Sequence, residues 1–103
     1  MSTEVIHNGQ RSRYEIYLDG EQSGYVEYEL AGDEITITHT FTDPVKRGRG
    51  VAARLVRHAL DDAIEADRFV VPQCWYVAQF IDTHEEYICL LKASGSASAR
   101  PRR

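Results

Sequence analysis

The sequence predicts an α+β domain: an antiparallel β-meander, then a helix, a short parallel strand and a second helix, on one mixed sheet. Three observations lead there. Turn-forming pairs at Asn8-Gly9, Asp19-Gly20 and Gly32-Asp33 divide the first half of the chain into short segments. The segments between them alternate apolar and polar residues with period two. After Val51 the apolar residues recur at helical spacing instead.

Each element has its own signal. A short strand at Glu4–His7 opens the meander. Tyr14, Ile16 and Leu18 alternate with Glu15, Tyr17 and Asp19, and Val26, Tyr28 and Leu30 alternate with Glu27 and Glu29. In the fourth strand Ile35, Ile37, His39 and Phe41 fall on one face, and Thr36, Thr38, Thr40 and Thr42 on the other. Tight turns between such strands favour antiparallel neighbours. Val51, Leu55, Val56, Ala59, Leu60, Ala63 and Ile64 then form a helical stripe that should end near Asp67. Phe69, Val70 and Val71 make a short strand stopped by Pro72, which cannot donate to a ladder. A strand reached through a helix is most readily parallel to the strand before that helix. The stretch CWYVAQFIDT, residues 74–83, reads as a second helix with Val77, Phe80 and Ile81 as its stripe. The organisation is therefore one domain over residues 1–92 and a disordered Ser/Ala/Arg tail over residues 93–103, with no internal repeat.

With 103 residues, 43% of them hydrophobic, the chain has enough material for one core and none for a second domain. No apolar run approaches a membrane span, and the first residues lack the apolar centre of a signal peptide. Cys74 and Cys89 have neither CxxC nor zinc-like spacing, so two free thiols in a reduced, cytoplasmic protein are expected. Cys89 lies in the apolar run YICLL and is expected to be packed. His7, His58 and His84 show no ligand spacing with any Cys or acid, and no metal is expected. Net charge is −4, but the tail carries three of the twelve basic residues and none of the sixteen acids. The rest is decidedly acidic, which argues against nucleic-acid binding by the fold. Yet five cations, Lys46, Arg47, Arg49, Arg54 and Arg57, lie between Asp43 and Asp61 with no acid among them.

Residues 46–52, KRGRGVA, sit in that window, after a strand and before a helix. Unpaired N–H groups at a helix start carry partial positive charge and bind phosphate. Glycine removes the side chain that would hold a pyrophosphate off. There is no GxxxxGK[ST] and no GxGxxG, which excludes the Walker and dinucleotide loops. A plain Gly-rich turn with solvated arginines accounts for the motif as well. His39 on an apolar strand face is commonly a hydrogen-bonded core residue. Cys74 near a helix start is either a small packed residue or a thiol favoured as thiolate by the helix terminus. If the strands at 35–42 and 69–72 are neighbours, His39 and Cys74 can meet as a nucleophile or proton-transfer pair. Trp75 and Tyr76 beside Cys74 are candidates to line a pocket, or to pack in the core.

Taken in order, HTFTDPVKRGRGVAARLVRHAL, VVPQCWYV and THEEY resemble the small single-domain members of the GNAT N-acetyltransferase superfamily, from about Tyr14 to Leu91. The resemblance implies a GNAT-like mixed sheet and an acetyl-coenzyme A site. It implies that the pantetheine arm runs along the strand ending at Thr40, Phe41 and Thr42. It further implies that the pyrophosphate sits on the turn Arg47-Gly48-Arg49-Gly50-Val51-Ala52, with Lys46 beside it, and that His39 and Cys74 are the active residues. Two positions depart from the pattern. Val45 stands where the superfamily has Gln or Arg, and Trp75 follows the Cys where many relatives have Pro. The implied function is transfer of an acetyl group from acetyl-CoA to an amine, a small amine or a protein amine. Cys74 and His39 would either remove the amine proton or carry the acetyl group. The alternative is a CoA- or acyl-CoA-binding module without transferase activity. An acidic surface suits a cationic acceptor.

Overall fold

The computed structural model describes residues 2–46 and 50–91. Arg47, Gly48, Arg49, the side chain of Lys46 and the expected tail lie outside the described residues. The strands are β1 (Thr3–Asn8), β2 (Arg13–Leu18), β3 (Glu21–Ala31), β4 (Glu34–Thr42) and β5 (Phe69–Pro72). The helices are α1 (Val51–Glu65) and α2 (Trp75–Asp82), and short 3-10 turns cover Gly9–Arg11, Pro44–Lys46 and Glu85–Leu90. Sheet order follows chain order, β1-β2-β3-β4-β5, with the first three pairings antiparallel and β4–β5 parallel. This is the expected mixed sheet, and the crossover through α1 supplies its one parallel pair. The six-residue 3-10 turn at Glu85–Leu90 had no sequence signal.

The core lies between one face of the sheet and the two helices. Tyr14, Ile16, Val26, Tyr28, Ile35, Ile37 and Val70 face Val51, Leu55, Val56, Ala59, Leu60, Val77 and Ile81, all buried. Each Val, Leu or Ile side chain so buried contributes about 1.5–3 kcal/mol. Two adjacent acids on α1 fasten the helix on both sides. The Tyr14 hydroxyl donates to Asp62 at 2.9 Å, which ties α1 to β2. The Tyr87 hydroxyl donates to Asp61 at 2.7 Å, which ties α1 to the last 3-10 turn. Burial and the facing carboxylates hold both phenols protonated: Tyr14 is pushed well up, and Tyr87 up to about 12. Arg57 adds a bond to the Tyr87 hydroxyl at 3.2 Å and lies against the Phe80 and Tyr87 rings. Cys89, expected to be packed, is only half-buried, because the 3-10 turn aims Tyr87 and Leu90 inward instead.

On the open face of the sheet Glu15 is buried within a polar cluster. It accepts from Arg13 at 2.6 Å, from Tyr17 at 3.0 Å and from Asn8 at 3.4 Å. Burial disfavours its charge, but these donors and the Arg13 guanidinium outweigh that and lower its pKa. A carboxyl whose pKa is lower folded than unfolded stabilises fully above the unfolded value of about 4.3. That contribution is lost as pH falls through the folded value. Acid melts of Glu15→Gln should therefore show a shallower loss of stability below about pH 4 than wild type.

α1 packs on β3 at Gly24, which pairs with Ile16 and Thr42. A Cβ there would stand 2.7 Å from the Phe41 carbonyl oxygen and 3.3 Å from Leu55 Cδ1. The carbonyl belongs to β4 and cannot swing away without disturbing the sheet. Gly24→Ala is expected to cost about 1–3 kcal/mol by overpacking, read as a lower melting temperature.

Candidate functional site

Two strand irregularities make the site. The parallel β4–β5 ladder runs Glu34↔Phe69, Ile35↔Val70, Thr36↔Val71 and Ile37↔Pro72, and stops there. Pro72 has no N–H, and the next two amides, Gln73 and Cys74, both donate to the Ile37 carbonyl at 3.1 Å. The chain then turns into α2, while β4 continues to Thr42. Beyond Ile37 the edge of β4 that faces β5 has no strand beside it among the described residues. The second irregularity is a register shift in the β3–β4 pairing: Tyr28 pairs with Ile37, but Glu27 pairs with His39. Thr38 is the extra residue, a bulge, and its hydroxyl bonds to the Glu27 carbonyl at 3.3 Å.

The bulge reverses which side chains face the helices. Before it, Ile35 and Ile37 are buried with Tyr28. After it, Thr40 pairs with buried Val26 and shares its face, while His39 pairs with Glu27 and faces the open side. This corrects the expectation that His39 and Phe41 share a face with Ile35 and Ile37. Both rings are exposed on the open face, where Phe41 stacks on Tyr25 at 5.3 Å and His39 lies 6.1 Å from the same ring. Thr40 and Thr42, expected on the outer face, turn toward α1 and α2 instead.

They line a cavity of about 450 Å³ together with Gly50, Val51, Ala52, Ala53, Cys74, Trp75 and Tyr76. One end is the start of α1. Gly50 is its N-cap, in the left-handed region at φ 71°, and makes no side-chain capping bond. Among the described residues, no side chain caps the orphan donors of this first turn beside the cavity. The other end is the start of α2, where Cys74 is the N-cap residue. The Cys74 thiol donates to the Thr40 hydroxyl at 3.4 Å. The structure thus gathers Thr40, Thr42, Gly50, Val51, Ala52 and Cys74 of the expected residues; Trp75 and Tyr76 line the same cavity, and Tyr76 also packs against the core. It puts His39 on the far side of β4. Ala53 and the Thr40–Cys74 contact were missed; the contact depends on the bulge, which leaves no mark in hydrophobic alternation.

Solved structures share this architecture. The solution structure of a GCN5-like protein from Staphylococcus aureus superimposes with a TM-score of 0.69 at 17% identity, over 88% of this chain and 89% of that one. N-acetylglutamate synthase from Neisseria gonorrhoeae, complexed with coenzyme A and N-acetyl-glutamate, aligns over 59% of this chain and 15% of its own, with a TM-score of 0.54 at 19% identity. At these identities the likeness establishes the fold, that of the N-acetyltransferases. Sequence carries the assignment further. Protein NATD1 of Mus musculus is 33% identical over 79 residues, spanning 75% of this chain and 72% of that protein. The human Protein NATD1 is 32% identical over 79 residues, spanning 75% and 70%. Residues 13–90 match the model of the family described as GCN5-related N-acetyl-transferase, and the chain belongs to that family.

Separation of His39 from the cavity has a measurable consequence. His39→Ala should leave stability within about 0.5 kcal/mol of wild type, as for other exposed sites. It should also leave the pH dependence of Cys74 alkylation unchanged, followed by mass spectrometry of the labelled peptide. A shifted profile would reveal coupling between the two groups.

Proposed function

We propose that the cavity binds acetyl-CoA and that the chain transfers the acetyl group to an amine. One observation supports this most: an uncapped helix start and a strand edge released by its neighbour line the same cavity, with a thiol at the inner end. In this reading the amide N–H groups of the first turn of α1, at Gly50, Val51 and Ala52, receive the pyrophosphate. In the sequence, Lys46, Arg47 and Arg49 just before Gly50 add positive charge to the same segment, and Gly48 adds no side chain to it. The pantetheine amides bond to the edge of β4 at Thr40, Phe41 and Thr42, as an added strand would. The thioester then lies beside Cys74. The amine nitrogen attacks the thioester carbonyl, the C–S bond breaks, the CoA thiolate leaves, and the amine loses a proton.

Cys74 serves this reaction by taking that proton or by carrying the acetyl group between donor and acceptor. Its hydrogen-bond partner is a threonine hydroxyl, which favours a role for the thiol without an imidazole beside it. His39, on the other face of β4, would act only on a group reaching the gap between β4 and β5 from that side.

Calorimetric titration with CoA tests the binding half. Gly50→Glu puts a carboxylate where phosphate is proposed and a side chain on a left-handed residue, and should abolish measurable binding. CoA should also shield Cys74 from iodoacetamide while Cys89, away from the cavity, keeps reacting. For the chemical half, Cys74→Ala should lower turnover by roughly 10²-fold or more with CoA still bound. Undiminished turnover would remove Cys74 from the mechanism. CoA binding without release of free CoA across a broad amine panel would leave a binding module only.

A further inference from the structure

The residue next to the thiol has a property that acetyl transfer alone does not require. Trp75 is the only tryptophan of the chain and lines the cavity, yet it is 73% exposed. Its indole meets Tyr76 edge-on, with ring centroids 6.0 Å apart, and Tyr76 also lines the cavity. Two aromatic side chains therefore flank the start of α2. An indole left mostly in water at the lip of a cavity offers apolar surface that a bound ligand can cover.

The direction of the cavity fixes which part of a ligand would reach it. At one end stand Gly50, Val51, Ala52 and Ala53, the phosphate end of the reading above. Thr42 and then Thr40 lie along β4 from there toward Ile37, whose carbonyl receives the Cys74 amide at 3.1 Å. Cys74 and Trp75 thus mark the acyl end. A thioester methyl needs only a small slot, and the chain provides an open aromatic shelf.

We propose, on the basis of that reading, that Trp75 is a specificity-determining residue that lets the site accept apolar acyl groups longer than acetyl, so that the acyl donors include short-chain acyl-CoA thioesters such as butyryl-CoA. The extra methylenes lie along the indole and exclude water from it. The transfer is unchanged in its bonds: amine nitrogen to acyl carbon forms, acyl carbon to sulfur breaks, and CoA leaves as thiolate. Each methylene buried on an apolar surface strengthens binding by up to about fourfold. Because the shelf is open on its outer side, two methylenes should give roughly three- to tenfold.

The experiment is calorimetry of the full chain with CoA, acetyl-CoA and butyryl-CoA, with Trp75 fluorescence read in parallel. The expected result is butyryl-CoA tighter than acetyl-CoA by about three- to tenfold, with a larger blue shift of the indole emission. Trp75→Ala should bind the two thioesters equally, and Trp75→Phe should keep part of the preference, with circular dichroism showing that each variant is folded. Equal affinities in wild type, or a preference that survives in Trp75→Ala, would overturn the inference while leaving the CoA reading intact. Failure of all three ligands to bind wild type would overturn the CoA reading itself and this inference with it.

Discussion

Everything at the site follows from where the β4–β5 ladder stops. A proline at its last pair supplies no N–H, and the two amides that follow are both spent on the Ile37 carbonyl. Pairing cannot continue, so the chain leaves the sheet and starts a helix. β4, held on one edge by β3 as far as Gly24↔Thr42, remains extended, and beyond Ile37 its other edge has no strand beside it among the described residues. Backbone polar groups on such an edge require partners. An extended ligand with its own amides meets that requirement, and a cavity results without any layer of side chains having to be hollowed out.

The bulge at Thr38 is the second half of the same device. Without it, strand alternation would aim His39 and Phe41 at the helices and fill the space beside Cys74 with rings. One extra residue turns two small hydroxyl side chains, Thr40 and Thr42, toward the cavity and sends the aromatic ones to the open face. Space for a ligand and a hydrogen-bond partner for the thiol arise together. The cost is local, since the Thr38 hydroxyl bonds to the Glu27 carbonyl across the irregular pair.

α1 has to be fixed firmly for its first turn to be useful. Its position is set by a buried aliphatic stripe, by the absence of a side chain at Gly24, and by two phenol–carboxylate bonds reaching in opposite directions from Asp61 and Asp62. The stripe runs from Val51 to Ala63, and the two phenol–carboxylate bonds add to it near the far end of the helix. The near end begins at Gly50, whose left-handed backbone starts the helix with no capping side chain over the amides among the described residues.

Element types, their order and the parallel placement of β5 were legible in the residues, because alternation, helical spacing, turn pairs and a strand-ending proline are local signals. So were Gly50 and Cys74 as residues that border the cavity. The face of His39 was not. Reading His39 with Ile35 and Ile37 assumed unbroken period-two alternation, and a one-residue bulge inverts every side chain beyond it. Whether a strand accommodates an extra residue depends on its partner, here the pairing of Glu27 and Tyr28, and no property of the ITITHTFT segment alone encodes that. The sequence by itself therefore determined the strands, the two helices and most of the residues that border the opening. Only the tertiary structure decided which side chains look into it, because facing is a property of two paired strands and not of one.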